Sequence, residues 1–261
     1  MRGQSVETIT DMRLLAEAAR CARGPSEPYV ELLRRYGFVV LEPGGGSTFS
    51  LEDIMSPLGD STAYGYGTQL IQEQRAGTAN SQFRTGAIPM HVDAFLNANS
   101  VRFIGLECLE APTEGGETLI ASSAAFFAHA PGELVDTLRG IEIEYWSNVS
   151  GSGFYLERPE RTLIKAPVQV DPVTGGDALC LGVDHPADPT RNFGAAVVGY
   201  DGEQHAALMS ELAEVLARPQ IMYAHRWREG QVLIMDNLRV VHARADYPAD
   251  SPRKLLRISV S

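Results

Sequence analysis

The chain has 261 residues, 44% of them apolar, enough for one large buried core. Its formal net charge of −11 disfavours nucleic acid or an anionic membrane surface as the main partner, although a pocket in an acidic protein can still hold local arginines. Cys21, Cys108 and Cys180 are too few and too widely spaced for a disulfide framework or a zinc knuckle. The start of the chain lacks the apolar run of a signal peptide, and no stretch approaches the ~20 apolar residues of a membrane span. A cytoplasmic protein acting on a small molecule is the expectation, with no nucleic-acid or membrane partner and with homo-oligomer formation left open.

Residues 5–23 read as a helix, with Ile9, Met12, Leu15, Ala16 and Ala19 at helical spacing and Gly24-Pro25 as the stop. A second short helix covers about 27–35, and 38–41 reads as a buried strand. The turn at 43–46 has three adjacent glycines, but no Gly-Lys-Ser/Thr follows, so it is not a phosphate loop. A short helix is expected at 50–58. The polar, Gly-rich stretch 60–88, with Tyr64, Tyr66, Phe83 and Arg84, reads equally as a pocket wall or as an ordinary surface loop.

Strands follow at 101–109 and 117–121, separated by a Gly115-Gly116 turn. A helix at 123–139 is broken by Pro131, with Gly140 at its C-cap. Segment 145–161 interleaves Ser and Gly with Tyr145, Trp146, Phe154 and Tyr155, which suits a mobile lid or a plain hairpin loop. Strands are expected at 162–170 and 177–183. Helix 201–217 carries Asp201 as N-cap, Gln204 completing a capping box, and Leu208, Leu212, Val215 and Leu216 as its buried stripe. Strands at 220–223, 231–235, 240–241 and 254–260 close the chain. Many short strands, few helices and regular turns predict a mainly β jelly roll with flanking helices, as one domain over 1–261 whose first 35 residues pack on the barrel as a helical extension.

The chemistry centres on Met90-His91-Val92-Asp93. In an extended strand, residues i and i+2 point the same way, so His91 and Asp93 aim an imidazole and a carboxylate at one point. Alone, a His-X-Asp is more often a surface pair or a hydrogen bond. With one further histidine it makes the 2-His-1-carboxylate triad that holds non-haem Fe(II) with open positions, and His242 is the candidate, 149 residues beyond Asp93. Three such ligands leave room for the keto-acid end of 2-oxoglutarate and for O2. The far carboxylate of that co-substrate needs a fixed cation and a hydroxyl. Arg253 and Arg257 lie eleven and fifteen residues after His242 and share strand parity, so both can face the pocket, and Thr118 can supply the hydroxyl.

Taken together, His91-X-Asp93, Gly115-Gly116-Glu117-Thr118, Met235-Asp236-Asn237-X-Arg239, His242 and the pair Arg253/Arg257 resemble the taurine dioxygenase-like family of Fe(II)/2-oxoglutarate oxygenases, from about residue 30 to the C-terminus. The run from Tyr223 to Gly230 leading into Ile234-Met235-Asp236-Asn237 is similar to compact antibiotic-pathway members of that family. The resemblance implies a double-stranded β-helix, Fe(2+) at His91, Asp93 and His242, and 2-oxoglutarate held by Thr118, Arg253 and Arg257. Leu238 departs from the family's frequent arginine. Asp93 is kept where related halogenases carry a small residue, which implies C–H oxidation (hydroxylation, desaturation, epimerisation or ring formation), with a natural-product pathway as the setting.

Candidate substrate contacts are Tyr64, Tyr66, Arg84, Tyr155 and Trp227. His225 and Trp227 also read as structural, and His129, His185 and His205 as surface or supporting residues. Asp236 and Asn237 are expected to hydrogen-bond the turn that presents His242. Two rival readings are a non-redox jelly-roll metal enzyme (hydrolase or isomerase), which would not need Thr118 or Arg253, and a metal-free binding protein.

Overall fold

The computed structural model describes residues 11–23, 28–44, 49–63, 67–93, 101–148, 162–171, 173–185 and 191–261. The N-terminal part contains helix α1 (Met12–Ala18), strand β1 (Arg20–Ala22), helix α2 (Tyr29–Tyr36), strand β2 (Phe38–Glu42), helix α3 (Leu51–Met55), and strands β3 (Gln69–Gln72) and β4 (Ile88–His91). The middle contains β5 (Phe103–Glu110), β6 (Thr118–Ser122), α4 (Ser123–His129), α5 (Gly132–Gly140), β7 (Ile143–Ser147), β8 (Leu163–Lys165), β9 (Val168–Val170), β10 (Asp177–Leu179) and β11 (Phe193–Val197). Helix α6 (Gly202–Leu216) and strands β12 (Met222–His225), β13 (Val232–Asp236), β14 (Val240–Arg244) and β15 (Lys254–Val260) complete it.

Aliphatic runs bounded by turn residues make the strands, and their pleat builds a jelly roll. A six-stranded sheet runs β1-β2-β13-β5-β15-β3, and a four-stranded sheet runs β12-β6-β14-β4. Phe38, Val40, Ile104, Leu106, Leu233, Met235 and Leu255 of the larger sheet meet Ile120 and Val240 of the smaller one in a shared core. Alternate residues face outward. Val39, Leu41, Val232, Ile234, Ile258 and Val260 lie under α2 and α3. Ala121, Val241, Ala243, Met90 and Val92 form the second face of the smaller sheet, covered by α5, α6, β7 and β11. Helix α6 starts with the expected capping box, Asp201 and Gln204 exchanging side-chain-to-backbone bonds.

Several expectations need correction. The helix expected over 5–23 is described only from Met12 to Ala18, and Arg20–Ala22 is a strand parallel to β2, Arg20 opposite Val40. Pairing onto an existing sheet outweighs the helical propensity of Arg-Cys-Ala. Strand β11 has no sequence forecast: Phe-Gly-Ala-Ala-Val carries little β signal, yet it pairs residue by residue with β7, the Trp146 ring lying over Gly194. Tyr145 and Trp146 belong to β7, with Tyr145 fully buried, so the aromatic start of 145–161 is strand, while 149–161 lie outside the described residues. Gly140 is the last residue of α5 and Ile141 its C-cap. Beyond β10, the expected strand thins to a single bridge between Gly182 and His91. Among the described residues no helix is long and apolar enough to cross a membrane.

Candidate active site

One face of the smaller sheet supplies most of the site. Val240 of β14 is in the inter-sheet core, so His242 and Arg244 point inward with it; on β6, Thr118 shares the side of Ile120. On the larger sheet, Arg257 and Ser259 share the parity of Leu255. Strands β14 and β4 pair antiparallel with His242 directly opposite His91, and the register shifts before Arg244 meets Ile88.

His91, Asp93 and His242 each offer one ligand atom within 4.8 Å of the others. The His91 Nε2 lies 3.5 Å from one Asp93 oxygen and the His242 Nε2 3.6 Å from the other. The His91 Nδ1 sits 2.8 Å from the Pro89 carbonyl, which can only accept, so the proton lies on Nδ1 and the Nε2 lone pair is left for a metal. Burial, then the neighbouring His91, pushes His242 below its ordinary range, so the imidazole is neutral as metal ligation requires. Burial opposes ionisation of Asp93, but the Arg257 guanidinium at 2.8 Å and the two histidines override it and hold the carboxyl well below the usual range. Two imidazole nitrogens and a carboxylate converging on one point fit Fe(II).

Asp93 itself lies just past the end of β4, so the strand pleat alone does not aim it. Asn237 does. Its side-chain oxygen accepts the Asp93 backbone N–H at 2.7 Å, and its amide nitrogen donates to the carbonyls of Asp93 and Val101. Asn237 thus ties the carboxylate-bearing turn to the β13–β14 turn. Asp236 caps that same turn through Leu238 N–H. Arg239 points elsewhere, to Asp171 and to the Arg34 carbonyl.

Arg253 is buried, and its Nε donates to the Gly116 carbonyl at 2.9 Å. No carboxylate pairs with it among the described residues. Burial, then the nearby Arg244, pushes it down to about 10, so it stays charged near neutral pH. Arg244, also pushed to about 10 by burial, donates to the carbonyls of Ser81, Gln82 and Gly86, pinning the segment that leads into β4. Both guanidiniums lie over the buried Tyr247 ring, at 5.4 and 5.7 Å from its centre. Two buried cations without a counter-ion among the described residues suit an anionic co-substrate. The Gly115-Gly116 turn is required here: both residues have φ of +67°, a Cβ on Gly115 would strike the Asp246 carbonyl, and one on Gly116 would strike Arg253. Gly115→Ala should therefore lower stability by at least about 1–3 kcal/mol, read as a fall in the urea midpoint at unchanged slope.

The structure thus gathers His91, Asp93, His242, Arg257, Thr118 and Arg253 around one interior. Trp227 does not sit in an open wall: it is in the inter-sheet core, and its indole N–H donates to Thr118 at 3.1 Å. Arg84 is half-buried just after the turn Ser81–Phe83. Tyr64, Tyr66 and Tyr155 lie outside the described residues. Sequence reasoning passed over Arg244 and Tyr247; the two-residue step from His242 to Arg244 was the available signal.

The sequence matches the taurine catabolism dioxygenase TauD, TfdA family over residues 23–259. The chain belongs to that family. It is an Fe(II)/2-oxoglutarate-dependent dioxygenase, and its reaction is oxidative, which removes the non-redox reading. Among curated relatives it is 26% identical over 223 residues to a tyrosine isonitrile desaturase of Pseudomonas aeruginosa, covering 81% of this chain and 72% of that protein. It is 26% identical over 234 residues to a 3-((Z)-2-isocyanoethenyl)-1H-indole synthase of Fischerella ambigua, covering 86% and 80%. The fold superimposes on PvcB, an Fe, alpha-ketoglutarate dependent oxygenase from an isonitrile synthetic pathway, with a TM-score of 0.67 at 22% identity, covering 91% and 80%. A taurine dioxygenase from Burkholderia xenovorans gives 0.66 at 19%, covering 94% and 82%. These neighbours share the double-stranded β-helix expected of this dioxygenase family.

Proposed function

We propose that this dioxygenase binds iron through His91, Asp93 and His242, takes the distal carboxylate of 2-oxoglutarate on Arg253 and Thr118, and desaturates a small amino-acid-derived isonitrile. The observation that carries the co-substrate reading is Arg253, a buried guanidinium with no carboxylate among the described residues, in the same interior as the triad. Iron with 2-oxoglutarate and O2 supplies the oxidising power, and succinate, CO2 and water are the by-products. The chain's own residues position everything else. Asn237 holds the backbone of Asp93, Arg257 keeps the Asp93 carboxylate ionised, and the apolar layer behind β6 and β14 excludes bulk water.

The substrate class rests on the two curated relatives described above, both with an isonitrile in their names and the first of them a desaturase. In desaturation the substrate loses two hydrogens from adjacent carbons, O2 takes them up with the oxidative decarboxylation of 2-oxoglutarate, and no oxygen enters the product. The test is incubation of the Fe(II) enzyme with tyrosine isonitrile, 2-oxoglutarate and O2, followed by mass spectrometry and succinate assay. The expected product is lighter by two hydrogens, with one succinate per product. A product gaining an oxygen would overturn desaturation, and no consumption of this or the tryptophan-derived isonitrile would overturn the substrate class.

A further inference from the structure

Thr118 and His225 are register partners on the antiparallel pair β6 and β12, and Trp227 follows two residues on. Trp227 is 6% exposed and Thr118 3%, so neither meets bulk water. An indole N–H can only donate, whereas a hydroxyl carries one hydrogen and two lone pairs. At 3.1 Å the Trp227 Nε1 occupies one lone pair of the Thr118 Oγ1. The hydroxyl hydrogen must then point away from the indole, and the stiff β-branched side chain leaves it few directions.

Trp227 is itself braced. The His225 ring packs against it nearly edge-on, 4.4 Å between centres at 83°. Burial, then the nearby Arg20, pushes His225 down to about 3, so it is neutral and adds no competing cation. Arg20 donates to the Tyr223 hydroxyl at 2.6 Å, which leaves the tyrosine hydrogen for the His225 Nδ1 at 3.3 Å. Arg20 is in turn anchored on Glu42 at 2.5 Å. A continuous brace therefore runs from the half-buried rim of the larger sheet to the back of Thr118.

We infer that Trp227 is a positioning residue for the co-substrate: its N–H commits the Thr118 hydroxyl to donating toward the distal carboxylate that Arg253 pairs. The inference rests on the reading that 2-oxoglutarate is held at Thr118 and Arg253. It assigns Trp227 to the co-substrate and removes it from the substrate pocket. A hydroxyl whose oxygen already accepts a hydrogen bond is also a stronger donor, since hydrogen bonds in a chain polarise one another.

The experiment is a double-mutant cycle on 2-oxoglutarate affinity, measured by anaerobic titration into the Fe(II) protein and followed through the charge-transfer band of the chelate. Trp227→Phe keeps an aromatic ring and deletes the donor. Replacement of Trp227 by 3-benzothienylalanine exchanges only N–H for sulfur and serves if the phenylalanine variant folds poorly. Either change should weaken 2-oxoglutarate about fivefold, the worth of one hydrogen bond, with Fe(II) affinity and melting temperature held. Combined with Thr118→Val, either change should add nothing further. Equal weakening with and without Thr118→Val would mean that Trp227 acts through packing and would overturn the inference. So would an unchanged affinity in both Trp227 variants while Thr118→Val alone weakens binding. An unchanged affinity in Thr118→Val itself would instead locate the failure in the co-substrate reading on which the inference stands.

Discussion

His91→Ala or His242→Ala abolishes iron binding and turnover while the apo fold persists. The two imidazoles and Asp93 present their ligand atoms within 4.8 Å of one another, and among the described residues each histidine is one of three side chains in that cluster. Partners that merely orient a ligand already cost roughly 10–100-fold in metal affinity when mutated, so removal of a ligand should exceed that. The fold should survive because neither ring carries the core. Among the described residues the His91 Nδ1 bonds a local carbonyl alone, and the His242 ring is a neutral side chain on a strand held by two neighbours. The measurement is Fe(II) or Co(II) titration beside a thermal melt of the metal-free protein. Near-native metal affinity in either variant would remove that histidine from the ligand set.

Arg253→Ala should weaken 2-oxoglutarate by roughly thirty-fold or more. Removing one partner of a buried charged pair typically costs about 2–5 kcal/mol, much of it from the partner left unpaired, and about 1.4 kcal/mol is tenfold in affinity. Arg253 is suited to such a pair because its Nε is spent on the Gly116 carbonyl, which fixes the fork, and because Tyr247 supports the guanidinium plane. Arg253→Lys should recover only part of the loss, since an ammonium cannot reproduce the planar fork. Iron affinity should stay close to that of the parent protein, because Arg257 and not Arg253 touches Asp93. The readout is the same anaerobic titration. An unchanged affinity in Arg253→Ala would take this residue out of the co-substrate grip.

Much of this was present in the linear order of residues. Strand period pointed to His91 and Asp93 as neighbours on one side and gave Arg253 and Arg257 one parity. Asp201 and Gln204 announced the start of α6, and the pattern of short strands and turns announced the jelly roll. Such features depend on neighbours within a few residues, and local sterics and hydrogen bonding settle them. The rest required strands far apart in sequence to pair in one register. That His242 faces His91 across β14 and β4 follows from which strands become neighbours, and a shift of one residue would turn His242 outward. Asp93 lies beyond its strand and is aimed by Asn237, a partner 144 positions away. Trp227 read both as a candidate substrate contact and as structural until pairing of β12 with β6 set it behind Thr118, and Arg244 gained its place beside Arg253 only through the fold. Sequence periodicity tells which side of a strand a residue faces; the partner it meets there is decided by register, which is set by packing of the whole sheet.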